Sequence, residues 1–499
     1  MKQASKPAAI LTGLLVVVAW VIVLAITVPQ AQSIGPQPNG DYGFFTAVAE
    51  RLWAGDRLYV DIWDNKDPFV FYSIAVARSA GIWGAWALEL LWVLTAALAA
   101  WAIAGWAQLT GHLRTLVAWV AIPLILVGLP YFMGSTHLPG IALTLAGYAA
   151  ALRSRFVLAG LLVAAVAFFK LIMIPLAVAL IVVVIVLAAS TPTMTKRRAI
   201  TRFALAAVAG SLATFVLMAA RGELVPYLNA QVANVLYSQV PIVPQPDPSP
   251  LRTIIQHLVV LANPHVVAIG LASLLLLAWS WWATIKSPPH RDHRDLVLWS
   301  SALTALVMSG LTIVAVAKWL HHSLILAVPS ALIVILVARM LQRTALGRGL
   351  VGVASLAVLT FVLAGIPNPG VYTTAVRNLD LSIETAQQED PLTTILKDEQ
   401  AGSFAVIGYG NLVPRSFELT GRELACRHLA QRHFDPPRAF EETLDCLPNA
   451  DIIVFAPDAL ERDGFPEFNE FLVDARQFAE DNATCREDEG FAICVTSAN

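Results

Sequence analysis

The feature that most constrains this chain is a succession of long apolar runs. They lie near residues 8–28, 82–107, 114–131, 137–152, 156–169, 171–189, 201–219, 263–285, 296–316, 320–338 and 349–366. A bilayer core roughly 30 Å thick needs about 20 apolar residues of helix to cross it. About eleven such runs predict a polytopic α-helical membrane protein, with those at 137–169 short enough to be tilted or re-entrant. The piece 69–80 is apolar but too short to span, so it is expected to lie in the interface. Charged residues make up only 14% of the chain, against about 25% in a soluble domain. The net charge of -2, with no basic tail or aromatic-interleaved basic patch, gives no support to a nucleic-acid partner.

Loop charge orients the spans. With the N-terminus in the cytoplasm, alternate loops carry Arg114; Arg153 and Arg155; Lys196, Arg197, Arg198 and Arg202; Lys286, Arg291 and Arg294; and Arg339, Arg343 and Arg348. Basic loops on one side are what the positive-inside rule requires. An odd number of spans then puts the C-terminal segment outside. Residues 1–28 begin like a secretory signal, with Lys2 and Lys6 ahead of the apolar run. That run is long enough to span and is read as the first membrane helix.

Cysteine placement supports the same orientation. Cys426, Cys446, Cys485 and Cys494 all fall in the polar C-terminal segment, and the membrane region has none. Their spacing suggests Cys426–Cys446 and Cys485–Cys494 disulfides in an oxidising compartment, the second bracing a short hairpin. Four free thiols or a zinc site are the alternatives, though no CxxC favours zinc. The predicted organisation is a membrane domain over 1–366, with its first extracytoplasmic loop at 29–81. An extracytoplasmic α/β domain follows over 367–499. Within it, 404–408 and 451–455 read as buried strands, and 418–431 and 466–479 as helices. The proline-rich stretch 241–250 reads as stiff and extended, able to edge a groove.

The first loop carries the richest chemistry. It contains Asp41, Asp56, Arg57, Tyr59, Asp61, Asp64, Lys66 and Asp67, interleaved with Trp53 and Trp63. Lys170 lies inside a long apolar stretch, and Lys318, Trp319, His321 and His322 lie between two spans. Charges in such places are functional candidates by default. Lysine or histidine can hold a phosphate, and a carboxylate can activate an acceptor hydroxyl or bind a divalent ion. Simpler roles exist for each. Asp41 can cap a helix, Asp61, Asp64 and Asp67 can be a solvated surface, Lys66 and Lys170 can snorkel, and Arg57 and Arg78 can contact headgroups. The tryptophans and histidines can belong to an interfacial belt.

The order of these features resembles the GT-C glycosyltransferases of the bacterial protein-mannosyltransferase and aminoarabinose-transferase superfamily. Asp41 matches an acid just after the first span. Gly55-Asp56-Arg57-Leu58-Tyr59-Val60-Asp61 matches a Gly-Asp-x-x-Tyr-x-Asp segment, and Asp64-Asn65-Lys66-Asp67-Pro68 matches the acid-lysine-proline part. Gly160 to Pro175, with Phe169-Lys170, is similar to a lysine that follows a glycine-led span. His321-His322-Ser323, six residues before Pro329, resembles a His-Tyr-x(5)-Pro segment. Leu419-Thr420-Gly421-Arg422 and Cys426-Arg427-His428 are similar to a loop common in these proteins. Two positions depart: Asp67 replaces the first proline of Lys-Pro-Pro, and Ser323 replaces tyrosine. The second acid can therefore be Asp64 or Asp67.

The resemblance implies a multi-pass enzyme of the bacterial inner membrane. It would move a sugar from a polyprenyl-phosphate carrier to a hydroxyl acceptor on the extracytoplasmic face. Asp41 would be the first catalytic acid and Asp64 the second, as base or metal ligand. Lys66, Lys170 and His322 would contact the donor phosphate, with Arg57, Tyr59 and His321 as further substrate contacts. No cofactor is required, and a divalent metal at Asp41 and Asp64 is compatible with this scheme. Two rivals are a lipid-linked sugar transporter or flippase, and a non-catalytic envelope assembly protein. A transporter predicts charges at mid-span, where Glu89 is the main example here.

Overall fold

The structure, a computed structural model, describes residues 6–32, 40–128, 136–188, 195–239, 264–286, 292–316, 320–343, 391–399, 402–408, 423–429, 437–456, 466–488 and 490–496. The run 349–366, the stretch 241–250, Leu419–Arg422, Lys318 and Trp319 lie outside the described residues.

Two compact units divide the chain. The first is built from Met1–Gln30, Trp86–Thr214 and Ile254–Asp380. Its helices are α1 (Lys6–Gln32), α4 (Gly81–Trp106), α5 (Gly111–Gly128), α6 (His137–Leu152), α7 (Phe156–Phe169), α8 (Ile174–Ala188), α9 (Lys196–Ala220), α11 (Pro264–Lys286), α12 (His293–Val316) and α13 (Ala327–Arg343). Among the described residues, six helical stretches have the length and composition to cross a membrane: Pro7–Leu24, Trp86–Trp106, Gly111–Gly128, Lys196–Ala220, His293–Ala315 and His322–Arg343. Shorter apolar helices lie at Pro68–Ala77, His137–Leu152, Phe156–Phe169, Leu171–Val186 and Val266–Trp282.

Local sequence explains the irregularities. Pro123 has no N–H to donate, and α5 widens into a π-turn over Val117–Ala121 just before it. Between α7 and α8, Lys170 is extended (φ -160°, ψ 96°), and a 3₁₀ turn over Leu171–Met173 restarts the helix. Small residues bring helices together. A Cβ on Gly160 of α7 would stand 2.3 Å from the Phe203 carbonyl of α9, so only glycine permits this approach. The central helix is α13, buried along nearly its whole length. At its end Arg339 is buried and bonded to Asp292 and Asp295, and Arg343 also pairs with Asp295. These two arginines are therefore neutralised in place by Asp292 and Asp295.

The second unit joins Ala31–Ala85, Phe215–Thr253 and Leu381–Asn499. It contains α2 (Gly40–Trp53), α3 (Pro68–Arg78), α10 (Leu224–Gln239) and α14 (Pro391–Asp398). The rest is β1 (Ser403–Ile407), β2 (Glu423–Leu424), α15 (Pro437–Cys446), β3 (Ile452–Phe455), α16 (Pro466–Asn482), β4 (Ala483–Asp488) and β5 (Phe491–Thr496). The sheet order is β2-β1-β3-β5-β4, with β2, β1 and β3 parallel and β5 and β4 antiparallel. The core strands β1 and β3 are the continuous apolar runs that the sequence marks. Ala405, Ile407, Ile453 and Phe455 pack with Phe468, Phe471 and Leu472 of α16 and Phe440 of α15. Both disulfides form as the spacing predicts. Cys485 and Cys494 are direct cross-strand partners in the β4–β5 hairpin.

One element differs from expectation. The described part of the anticipated helix 418–431 is β2 followed by an irregular segment over 425–429. Helical periodicity there yields to tertiary pairing: β2 adds to the edge of β1, and Cys426 is tied to the end of α15.

Candidate functional site

The first loop is held in shape almost residue by residue. Asp56 pairs with Arg51 of α2. The Arg57 guanidinium grips Asp61 through Nε and Nη2, each at 2.9 Å, and the Arg57 N–H donates to the same carboxylate. That bonding holds the Asp61 carboxyl below its usual range and raises the Arg57 guanidinium. Leu58 and Tyr59 then turn inward and are fully buried. Tyr59 adopts φ 65°, unfavourable for an aromatic residue, with its N–H on the Ile62 carbonyl at 2.7 Å. Its hydroxyl donates to the Lys66 carbonyl at 2.6 Å, and its ring lies 5.5 Å from that of Tyr227. Burial pushes the Tyr59 phenol well up, so it stays a donor. Tyr59, expected as a substrate contact, is thus an inward brace of the loop in this state.

The acid-lysine segment sits at the end of this brace. Asp64 Oδ1 accepts the Lys66 N–H at 2.9 Å, and its other oxygen has no hydrogen bond among the described residues. Lys66 Nζ donates to Asn65 Oδ1 at 2.7 Å. Asp67 is different: it is buried, stands at the N-cap position of α3 ahead of Pro68, and accepts from the Tyr227 hydroxyl at 3.3 Å. Asp41 lies in the first turn of α2, and its side chain is outside the described residues.

Two supports under this loop are not legible in the sequence. The first is Glu223, placed by a turn in which Gly222 takes φ 74°. Its fully buried carboxylate accepts the Leu58 N–H at 3.1 Å, the Tyr72 hydroxyl at 2.6 Å and Arg221 Nε at 2.8 Å. Nearby, Asn234 of α10 donates to the Asn65 carbonyl. An Arg-Gly-Glu at the end of an apolar helix is the only sequence signal for this support.

The second support comes from the C-terminal segment. The Trp63 N–H donates to the Arg427 carbonyl at 2.9 Å, and Trp63 pairs with His428 as a parallel bridge, with ring centroids 5.3 Å apart. Arg427 also bonds Glu442, and His428 Nε2 lies 3.1 Å from the same carboxylate. Burial lowers the His428 imidazole, so the ring is neutral and donates from Nε2. That bond, then the Arg427 guanidinium, holds Glu442 at about 2. The Cys426–Cys446 disulfide closes the same small assembly.

Lys170, His321 and His322 belong to the first unit. Lys170 is half-buried at the α7–α8 break, with its Cβ 3.7 Å from where a Cβ on Gly140 would stand. One turn before Gly140 on α6 is His137, buried, whose ring centroid lies 5.4 Å from that of His322. His137 is a basic residue of this cluster that motif reading did not find. It is a lone histidine in an apolar run, and only the fold sets it beside His322. The side chain of His321 is outside the described residues.

Among the described residues no group of three or more His, Cys, Asp or Glu side chains is arranged to hold a metal. Asp64 offers one carboxylate beside an amide and an ammonium, which by itself does not suit a divalent ion.

The fold is similar to that of the archaeal oligosaccharyltransferase AglB from Archaeoglobus fulgidus. Against AglB in complex with an inhibitory peptide and a dolichol-phosphate, the alignment covers 99% of this chain and 75% of that chain, with a TM-score of 0.50 and 10% identity. Against the apo form of the Archaeoglobus fulgidus oligosaccharyltransferase it covers 89% and 69%, with a TM-score of 0.46 and 11% identity. By sequence, the chain matches no protein-family model and no curated protein.

Proposed function

We propose that this chain is a GT-C glycosyltransferase of the bacterial inner membrane, moving a sugar from a polyprenyl-phosphate carrier to a hydroxyl acceptor on the extracytoplasmic face. The acceptor hydroxyl attacks the anomeric carbon, the bond from that carbon to the phosphate oxygen breaks, and polyprenyl phosphate leaves. Asp41 or Asp64 takes the hydroxyl proton. Asp64 is the better second acid, because Asp67 is buried against Tyr227 whereas Asp64 keeps an oxygen unbonded among the described residues. Lys66, Lys170 and His322 hold the donor phosphate, and His137 stands with His322.

One observation carries the reading: Asp64 and Lys66, joined by the Lys66 N–H on the Asp64 carboxylate and braced by Tyr59, in the first loop of a chain with the AglB fold. The loop charges and the two disulfides support an extracytoplasmic site. AglB's complex with dolichol-phosphate makes a lipid-linked donor reasonable here.

The test is transfer of radiolabelled sugar from polyprenyl-phosphate donors in membranes holding wild type, Asp41→Asn or Asp64→Asn. Wild type transfers sugar, and normally expressed, folded variants lose it by two orders of magnitude or more. Equal transfer by all three proteins removes these carboxylates from the mechanism. No transfer from any donor, with acceptor present, favours the assembly-protein reading.

A further inference from the structure

We propose that a groove between α7 and α9 binds an anionic phospholipid, with its phosphate on Arg155 and Arg202 and an acyl chain along Val157, Leu158 and Leu161. These residues, with Ser154, line a cavity of about 370 Å³. The turn from α6 into α7 places Arg155 at its mouth. Ser154 takes φ 59°, and the Arg155 N–H closes the turn on the Ala150 carbonyl at 2.9 Å. The other wall is α9, locked against α7 where Gly160 meets Phe203, the residue after Arg202.

Charge identifies the occupant. Between Glu89 and Glu223 the chain contains no acidic residue. Arg155 and Arg202 are exposed, and among the described residues neither guanidinium forms an ion pair or side-chain hydrogen bond. Arg198, one turn before Arg202, and Arg153 are exposed as well. Two arginines without a counter-charge among the described residues, beside exposed Val157, Leu158 and Leu161, match an amphiphile rather than a free ion. Inorganic phosphate would meet the arginines alone, whereas a phospholipid meets both the arginines and the aliphatic wall. The groove is also distinct from the candidate donor site, because Lys170 lies at the opposite end of α7, roughly 21 Å away along the helix.

The experiment uses the purified full-length protein in mild detergent with equal phosphatidylglycerol and phosphatidylcholine, counting retained lipids by native mass spectrometry. Wild type is expected to retain phosphatidylglycerol preferentially. Arg155→Gln with Arg202→Gln is expected to reduce that preference roughly 10- to 30-fold. Lys196→Gln with Arg197→Gln, exposed on α9 but outside the groove, leaves it unchanged. Should the first double variant fail to accumulate, Arg202→Gln alone carries the same expectation at a smaller effect. Equal retention of the two lipids by wild type overturns the proposal. So does an equal loss in the control variant, which would mean diffuse attraction, or displacement of the lipid by inorganic phosphate, which would mean an ion site.

Discussion

Replacing Glu223 with alanine tests whether the first loop is held from beneath. The substitution leaves the Leu58 N–H buried without its acceptor, at about 1–3 kcal/mol. The Tyr72 hydroxyl, partly buried, loses about 1 kcal/mol more. Arg221 is half exposed and can turn to water, so its share is at most about 1 kcal/mol after solvent screening. The sum is about 3 kcal/mol, at the low end for breaking a buried ionic contact. Because Leu58 precedes the strained Tyr59, the cost should appear as opening of the loop. Hydrogen exchange at the Leu58 amide reads it directly, and about 3 kcal/mol corresponds to roughly 150-fold faster exchange. Glu223→Gln keeps an acceptor for Leu58 and is expected to cost about 1 kcal/mol. Leu58 protection within threefold of wild type in the alanine variant would refute the reasoning and leave Glu223 a passive buried acid.

Further outcomes follow from the C-terminal support. His428 and Glu442 are both held below their ordinary values of 6.5 and 4.5, so both add stability at high pH that is lost on acidification. The thermal midpoint is expected to be flat above about pH 6.5, to fall below it as His428 resists protonation, and to fall again below about 4.5. Glu442→Gln should shrink the second fall, leaving the share that Asp61 contributes; an unchanged profile counts against the Arg427–His428–Glu442 contact. Cys426→Ser with Cys446→Ser releases a closure spanning 20 residues, worth about 3 kcal/mol. It should also speed exchange at the Trp63 amide, whereas Cys485→Ser with Cys494→Ser, within one hairpin, should leave that amide protected.

Much of the architecture was legible in sequence because its causes are local. Apolar runs specify helices, polar breaks end them, and continuous apolar pentads such as 404–408 specify buried strands. The cysteine spacing specified both disulfides, since a hairpin such as 483–496 sets its own partners. The acid-lysine order of 64–66 also survives as a local turn, with Asp64 bonding the Lys66 N–H.

What the sequence by itself determined was therefore a series of apolar helices, six of them long enough to cross a membrane among the described residues, together with the strands of the tail, its disulfide pairs and the stretch in which the acids lie. Only the tertiary structure decided which acids are held inward and what holds the loop. Glu223 reaches Leu58 across 165 positions of sequence, and Trp63 meets His428 across a still longer gap. Likewise, the two residues 423–424, which read as helix, become a strand because the edge of β1 is there to pair with. Such contacts leave no periodicity in the chain. A buried carboxylate or an edge strand is settled by which donors the fold brings within reach, and that is a property of distance in space rather than order in sequence.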